Sequence, residues 1–394
     1  MLTGWLGFFL ALAALLLISQ RNLAVAMFVG AFILGVITIP DRLPAVLWAA
    51  ITDPSTILLA VIVGIIPLIG GILKESGQMD NLVSNMRIGK KAFLMLSPAL
   101  VGMLPMPGGA LLSAPLVEKG ESGISNDKKA GLNVWFRHIL YLVYPMAPTL
   151  IISSEAARID LYQAIPYMTL TLVFSLFLGY FFFIKDATGK MNYAEKFSLR
   201  KLMLPLTALL AAPILDIVIK TFFVLPVKEL ATLIGISVSL LISIMISGKK
   251  TASFTEIFRK AKVWSFASMM IGIMVFLAVF KNSGILLLIR NLYISKEALF
   301  VIGLLLGFST GRIITPAGIV FPIAIEKFGA ISLPFFAILY FSIFLGYIMT
   351  PVHPCVSLSV EAFKANAKGY FKAVAPPALI GATVSLIILY ITNP

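Results

Sequence analysis

The chain is poor in the residues on which disulfides, metal centres and catalytic sites depend. Only 12% of its 394 residues are charged, two are histidine, and Cys355 is the single cysteine. One cysteine excludes an intramolecular disulfide and a cysteine cluster for a metal. The two histidines are far apart in the sequence, and no His-Glu-x-x-His motif is present. An intramembrane enzyme would need such a motif or a nucleophile with a base, so we predict neither an enzyme nor a bound cofactor.

Apolar residues are abundant instead. Hydrophobic residues make up 60% of the chain, and its mean hydropathy is +1.02. This composition excludes a soluble globular domain and predicts an all-α polytopic protein of the lipid bilayer. The net charge is +14, but the charges fall between apolar segments. They are therefore expected to orient the protein in the membrane and not to bind nucleic acid.

Ten apolar runs are long enough, at roughly 20 residues, to cross the hydrocarbon layer. They lie near residues 2–19, 23–39, 56–73, 132–157, 161–184, 202–219, 226–247, 263–280, 332–357 and 373–391. Two further apolar segments, 92–117 and 297–325, carry Pro and Gly at their middles. Each half of such a segment is too short to span the membrane, so both segments predict re-entrant hairpins.

The interruptions recur at corresponding places in the two halves of the chain. Each hairpin is followed by a crossing with its own break, Pro145-Met146-Ala147-Pro148 in the first half and Pro351-Val352-His353-Pro354 in the second. Each half supplies five crossings, and because five is odd, the halves enter the membrane in opposite orientations. We predict two inverted repeats, residues 1–184 and 202–394, joined by a cytoplasmic linker, residues 185–201.

The positive-inside rule orients this topology. Of the 31 Lys and Arg residues, 21 fall on one side of the predicted membrane and 8 on the other, and only Arg137 and Arg312 lie inside apolar segments. The richer side is cytoplasmic. We therefore expect a multi-pass protein of the cytoplasmic membrane with both termini outside.

The four breaks predict a binding site near the membrane midplane. Helix N-termini that restart after Gly109, Pro148, Gly318 and Pro354 would bring partial positive charge and unpaired N–H groups to one place, which favours an anion. The predicted substrate-binding residues are Pro107, Gly108, Gly109, Ser113, Thr149, Arg312, Thr315, Pro316, Ala317, Gly318 and His353.

Oxygen atoms at the same breaks could also hold a coupling ion. Unwound carbonyls and hydroxyls are hard ligands of the kind that bind sodium. The predicted sodium site comprises Gly108, Gly109, Pro145, Thr315, Gly318 and Thr350. A proton is the alternative coupling ion.

Individual charges in the apolar segments carry further predictions. Arg312 lies near the second hairpin tip, where a buried arginine needs either an anionic substrate or a protein carboxylate. His353 could bind substrate or carry a proton, or it could bond freed carbonyls. For Arg137 and His138, snorkelling to the cytoplasmic interface is the simpler expectation.

Spacing on predicted helices supplies two more expectations. Gly303, Gly307 and Gly311 recur every four residues on one limb of the second hairpin, which permits close approach of another backbone. Two charge pairs stand three residues apart and predict interfacial ion pairs, Glu155 with Arg158 and Glu361 with Lys364.

The paired hairpins and broken helices resemble the ion transporter superfamily, which includes dicarboxylate/sodium symporters, citrate and gluconate permeases and the arsenite pump. The run Leu104 to Pro115, with the later Pro-Val-His-Pro, is similar to an uncharacterised ten-span branch of that superfamily. The resemblance implies an elevator-type secondary transporter, often a homodimer. The Ser-Asn-Thr hairpin signature of the dicarboxylate members is absent.

The function that follows is ion-coupled transport of a small anion, with an organic carboxylate as the expected substrate. A sodium/proton antiporter or an oxyanion exporter of the same superfamily is the alternative. A channel and an intramembrane enzyme are less favoured.

Overall fold

The computed structural model describes residues 2–19, 21–103, 109–120, 123–191, 193, 196–248 and 254–392. Within those residues it is an all-helical protein. Seven helices are long and apolar enough to cross a membrane, or eight if one bent pair counts as a single span. The chain is accordingly a multi-pass membrane protein by its architecture.

One set of helices, here called the outer group, comes from two separate parts of the chain. The first part comprises α1 (Leu2–Ser19), α2 (Leu23–Thr38), α3 (Leu43–Thr52), α4 (Pro54–Glu75) and α5 (Gln78–Ser84). A second set of helices, here called the core group, begins in the next part of the chain. Its first members are α6 (Lys90–Gly102), α7 (Gly109–Gly120), α8 (Asn126–Ile139), α9 (Pro148–Ala157) and α10 (Leu161–Gly179). A π-helical turn extends α10 to Ile184.

The second half contributes to both groups in the same order. The outer group gains α11 (Leu199–Phe222), α12 (Glu229–Ser247), α13 (Phe254–Ala261) and α14 (Val263–Asn282). The core group gains α15 (Ile285–Arg290), α16 (Lys296–Thr310), α17 (Ile314–Phe328), α18 (Leu333–Met349), α19 (Pro354–Ala362) and α20 (Ala367–Ile391). Helices of the outer group pack mainly on one another, as do those of the core group.

Local sequence sets many of the helix starts. Side-chain oxygens at the N-cap position accept a backbone N–H from the first turn, which satisfies a donor that has no partner inside the helix. The residues that do this are Asn22, Asp53, Ser125, Asp160, Ser198, Ser295 and Asn366. Proline opens α9 and α19, where its missing N–H has no cost.

Two pairs of short helices pack on each other in the segments predicted to be hairpins, α6 with α7 and α16 with α17. Their limbs are 12 to 15 residues long, too short to span. The first turn, which includes Pro107 and Gly108, lies outside the described residues. The second turn is Gly311–Ile313, so the prediction of a restart after Gly318 was wrong. Thr315 to Gly318 belong to the first turns of α17, where Pro316 fits without breaking the helix.

Both predicted broken helices are also present. The first is interrupted between α8 and α9, where Leu140–Leu142 form a single 3-10 turn. The second is bent by 42° between α18 and α19. Cross-wise contacts join the breaks to the hairpins, because α7 packs on α19 and α17 packs on α9. The second hairpin turn and the two breaks therefore lie close together in the core group, because residues of all three line one cavity.

The order of elements repeats along the chain. A long helix, a short helix, a two-helix hairpin, a broken helix and another long helix occur as α4–α10 and again as α14–α20. The short helices α5 and α15 start at equivalent glycines, Gly77 and Gly284, with φ of 72° and 74°. The relative orientation of the halves, and hence the inverted repeat, stays a prediction.

Some details of the predicted topology differ from the structure. The run near 23–39 forms a helix of only 16 residues, and segment 132–157 is divided by its break, so ten full crossings are not established. Helices α3 and α13 occupy stretches that the sequence analysis left as connections. The Glu155–Arg158 pair was wrong, because α9 ends at Ala157 and Glu155 pairs with Lys228 at 2.9 Å. Lys364 likewise lies beyond the end of its helix, with φ of 50°.

Candidate functional site

A cavity of about 600 Å³ lies between the core group and the outer group. Its exposed rim includes Arg21 and Lys262. Its floor is buried and includes Arg137, His138 and His353 at 2%, 1% and 5% exposure. We call it the basic cavity. Four cationic side chains line it and no described lining residue is acidic; the four are Arg21, Arg137, Lys262 and Arg312.

Arg137 is held in the floor by its neighbours on the first hairpin. It lies in the last turn of α8, three turns after the helix start, where its backbone packs on Gly102. A Cβ atom at Gly109 would approach within 1.7 Å of the guanidinium, so only glycine leaves room for it there. The snorkelling prediction for Arg137 was therefore wrong, because the side chain turns into the protein.

The guanidinium of Arg137 is short of hydrogen-bond acceptors. Its Nε and Nη1 atoms are buried, and neither has a partner among the described residues. Cys355 lines the same cavity as Arg137. A buried cation without a carboxylate is costly, by at least about 2.5 kcal/mol on insertion scales. An anion in the cavity would supply the missing acceptors and the opposite charge.

Arg312 reaches the same cavity from the second hairpin. It follows Gly311, whose φ of 60° allows the sharp turn at the end of α16. A Cβ atom at Gly311 would also lie 3.0 Å from the backbone nitrogen of His353. The Nε–H of Arg312 donates to the carbonyl of Ser19 at 3.0 Å. No carboxylate of the described residues pairs with Arg312, so the alternative of a protein carboxylate partner finds no support.

An aromatic wall connects the two arginines. His138, Tyr347 and His353 lie in mutual ring contact, with centroid separations of 4.3 to 5.3 Å, and Tyr141 contacts His138 at 5.3 Å. The Nδ1–H of His138 donates to the carbonyl of Val134 at 2.8 Å. The buried Nε2 of His353 has no partner among the described residues.

The histidines and the cysteine also form the geometry of a metal site. The nearest ligating atoms of His138, His353 and Cys355 all lie within 4.8 Å of one another. Two nitrogen ligands and one sulfur ligand suit a transition metal such as zinc. The charges oppose a metal here, because Arg137 and Arg312 line the same cavity as these three side chains. These cations favour an anion over a divalent metal at this point.

Of the predicted substrate residues, Thr149, Arg312 and His353 line the basic cavity. Thr149 stands at the first break, where its hydroxyl accepts from the Tyr340 hydroxyl at 3.2 Å. Ser113 is buried, and its hydroxyl donates to backbone carbonyls of its own helix. Gly109 contributes by accommodating Arg137.

The remaining predicted residues are dispersed. Thr315, Pro316, Ala317 and Gly318 are buried in α17, and the Thr315 hydroxyl has no partner among the described residues. None of these four lines the basic cavity. The Thr350 hydroxyl accepts the N–H of Val352 at 3.2 Å. The predicted sodium ligands are thus not assembled in one described cavity.

A second cavity, of about 260 Å³, lies beside the first break, and Pro145 is among its lining residues. We call it the acidic cavity. Asp216, at its wall, is 2% exposed and pairs with Lys220 at 2.9 Å. The hydroxyls of Tyr162 and Thr232 also donate to Asp216, at 2.5 and 2.9 Å.

Sequence reasoning did not predict that Arg137 lies in the basic cavity or that Glu229 lies in the acidic cavity. Arg137 was assigned to the membrane interface because its helix was started six residues too late. Glu229, which lines the acidic cavity at 4% exposure, is not among the predicted site residues. The basic residue within an apolar run was the signal that could have identified Arg137.

The fold and the basic cavity define a class, that of multi-pass helical membrane proteins with hairpins and broken helices around a central cavity. One solved structure of this kind, the Alcanivorax borkumensis YdaH transporter, matches with a TM-score of 0.59 over 97% of both chains, at 14% sequence identity. A search among curated proteins gave no match. The chain belongs to the DUF401 family, a family described as proteins of unknown function, whose model matches residues 3–392.

Proposed function

We propose that this protein is a secondary transporter of a small anion, with an organic carboxylate as its substrate. The observation that carries the proposal is Arg137, a fully buried guanidinium with two unpartnered donors in a cavity that no described carboxylate lines. Charge-assisted hydrogen bonds to a carboxylate are short and strong and would satisfy those donors. The likeness in fold to a solved transporter supports transport over catalysis.

Arg312 and the aromatic wall complete the anion site in this proposal. Arg312, in the turn of the second hairpin, supplies a second positive charge. His353, at the second break, offers its Nε2 atom. The site thus draws on both halves of the core group. Two arginines in the basic cavity suit an anion better than a cation, which disfavours the sodium/proton antiporter. An oxyanion exporter is the remaining alternative.

Alternating access follows from the position of the basic cavity between the two helix groups. With the orientation predicted by the positive-inside rule, its rim at Arg21 and Lys262 faces the cytoplasm. Movement of the core group along the outer group would carry the bound anion toward the other side, as in an elevator-type carrier. The inverted repeat predicted from the sequence would provide two equivalent arrangements for such a mechanism. The homodimer implied by the resemblance is retained as part of the proposal.

Anion binding by the purified protein tests the proposal at Arg137. A panel of mono-, di- and tricarboxylates, with phosphate, arsenite and arsenate as the oxyanion arm, is titrated against wild-type protein and the Arg137→Lys variant. Because Lys keeps the charge but loses the planar donors, we expect at least a tenfold loss of affinity, about 1.4 kcal/mol. Arg312→Ala should likewise remove binding and uptake while the protein still folds.

The matched control is Arg259→Lys, at an exposed position of α13, which should bind as the wild type does. Gradient-driven uptake of the bound anion into proteoliposomes then distinguishes a carrier from a binding protein, and unitary currents in planar bilayers would indicate a channel. Wild-type affinity in Arg137→Lys and Arg312→Ala together would exclude this site.

A further inference from the structure

We propose that the acidic cavity is the binding site of the coupling ion, a sodium ion or a proton, and that Glu229 is its carboxylate. The cation site stands on its own observations, while its role in coupling rests on the proposed anion transport. It differs from the sodium site predicted at the hairpin tips and helix breaks, with which it shares only Pro145.

Glu229 is the one acidic lining residue of this cavity that has no hydrogen-bond or ion-pair partner among the described residues. Both of its carboxylate oxygens are buried and lack donors, and the side chain is 4% exposed. The other buried acid, Asp216, has three donors, from Lys220, Tyr162 and Thr232. A buried ionised carboxylate without partners is strongly unfavourable. A proton or a bound cation removes that cost.

The charges facing Glu229 leave an excess of negative charge in the cavity. Lys220 on α11 forms an ion pair with Asp216. Lys228, which precedes Glu229 in the chain, forms an ion pair with Glu155 of α9 at 2.9 Å. Asp160, the N-cap of α10, adds another carboxylate. The lining thus holds four carboxylates and two ammonium groups. A single positive charge can therefore enter without repulsion from an unpaired lysine.

The first break places the two cavities next to each other. Pro145, Ile151 and Ser154 line the acidic cavity, whereas Pro148 and Thr149 line the basic one. A cation bound on one side of this short segment and an anion bound on the other would both depend on its conformation. This proximity is a physical route by which occupancy of one cavity can alter affinity in the other.

The test measures cation binding to the purified protein in the absence of any carboxylate substrate. Thermal unfolding is followed in NaCl against choline chloride at constant ionic strength, and in sodium-free buffer across pH, for wild type and Glu229→Gln. If sodium binds, it raises the Tm of the wild type saturably and not that of the variant. If a proton binds, the wild type becomes less stable than Glu229→Gln as pH rises, because only the wild type can ionise.

Glu256→Gln, at a carboxylate of α13 outside both cavities, serves as the control and should respond as the wild type does. Glu229→Gln keeps the shape of the side chain and removes the buried charge, so it is expected to fold. A wild type with neither response, or a Glu229→Gln variant that retains the wild-type response, overturns the inference. Loss of anion binding in Arg137→Lys is measured separately, so failure of the cation site and failure of the anion site give different results.

Discussion

Two arginines of the central cavity lie at different interruptions of the core group, and Arg137 is buried whereas Arg312 is half-buried. Arg312 stood out in the sequence because a charge within a hairpin tip is rare. Arg137 did not, because a basic residue near the end of an apolar run usually reaches the interface. The difference lies in Gly102 and Gly109, which leave space for the side chain inside the protein.

Cys355 offers a direct probe of occupancy. It is the only cysteine of the chain and lines the basic cavity together with Arg137. We expect a saturating substrate anion to slow labelling of Cys355 by a thiol reagent at least tenfold, because anion and reagent compete for the same space. Labelling followed by mass spectrometry measures this rate.

The comparison is the rate with a chloride salt at equal ionic strength, which should leave labelling fast. If the bound anion changes nothing, it binds away from the cavity floor. If zinc instead of an anion blocks labelling in wild type, the two histidines and Cys355 act as a metal site and the anion proposal fails at this point.

Packing between elements depends on close backbone approach in the core group. The prediction of a glycine contact surface on α16 is confirmed, since a Cβ atom at Gly307 would lie 2.4 Å from the carbonyl oxygen of Ile343. On the partner helix, a Cβ atom at Gly346 would lie 2.0 Å from the carbonyl oxygen of Leu304. The two helices thus interlock through glycines on both sides.

Gly346→Ala should destabilise the protein, because backbone atoms cannot move aside as a flexible side chain can. Overpacking of this kind has a penalty of about 1–3 kcal/mol. The Tm of the detergent-solubilised variant measures it. Gly64→Ala, whose Cβ would make ordinary contacts at 3.4 Å, is the matched control. Equal Tm values for the two variants would contradict the close packing of α16 on α18.

At the scale of the whole molecule, an ion pair bridges the two helix groups. Lys228 lies at the start of α12 in the outer group and Glu155 in α9 of the core group, 2.9 Å apart. Both side chains reach the surface, at 63% and 28% exposure. If the core group moves during transport, this pair must separate.

Cysteines at positions 228 and 155, in place of Lys228 and Glu155 and in a Cys355→Ser background, allow movement of the core group to be blocked by cross-linking. A short bifunctional thiol reagent should reduce anion uptake by about the fraction of protein cross-linked, and reduction of a cleavable linker should restore it. Each measurement is compared with the same variant before treatment. Full uptake by completely cross-linked protein would exclude an elevator movement at this interface.

The breaks were accessible to sequence reasoning because lipid cannot satisfy the backbone groups that proline and glycine leave free. Pro148 and Pro354 therefore mark true helix starts. The second hairpin turn was misplaced by several residues, since Pro316 suits a first helical turn as well as it suits a break. The partner of Glu155 could not be predicted, because Lys228 lies on a helix that is remote in sequence.

The sequence by itself determined that this is a helical membrane protein and that two of its helices start at Pro148 and Pro354, because apolar length and proline position act locally. Only the tertiary structure decided which charged groups meet. Arg137, Arg312 and the two histidines come from distant segments and converge on one cavity, and Glu229 with Asp216 forms another. This convergence depends on how the helices cross and on the space that glycines leave between them, and neither can be predicted from a local sequence pattern.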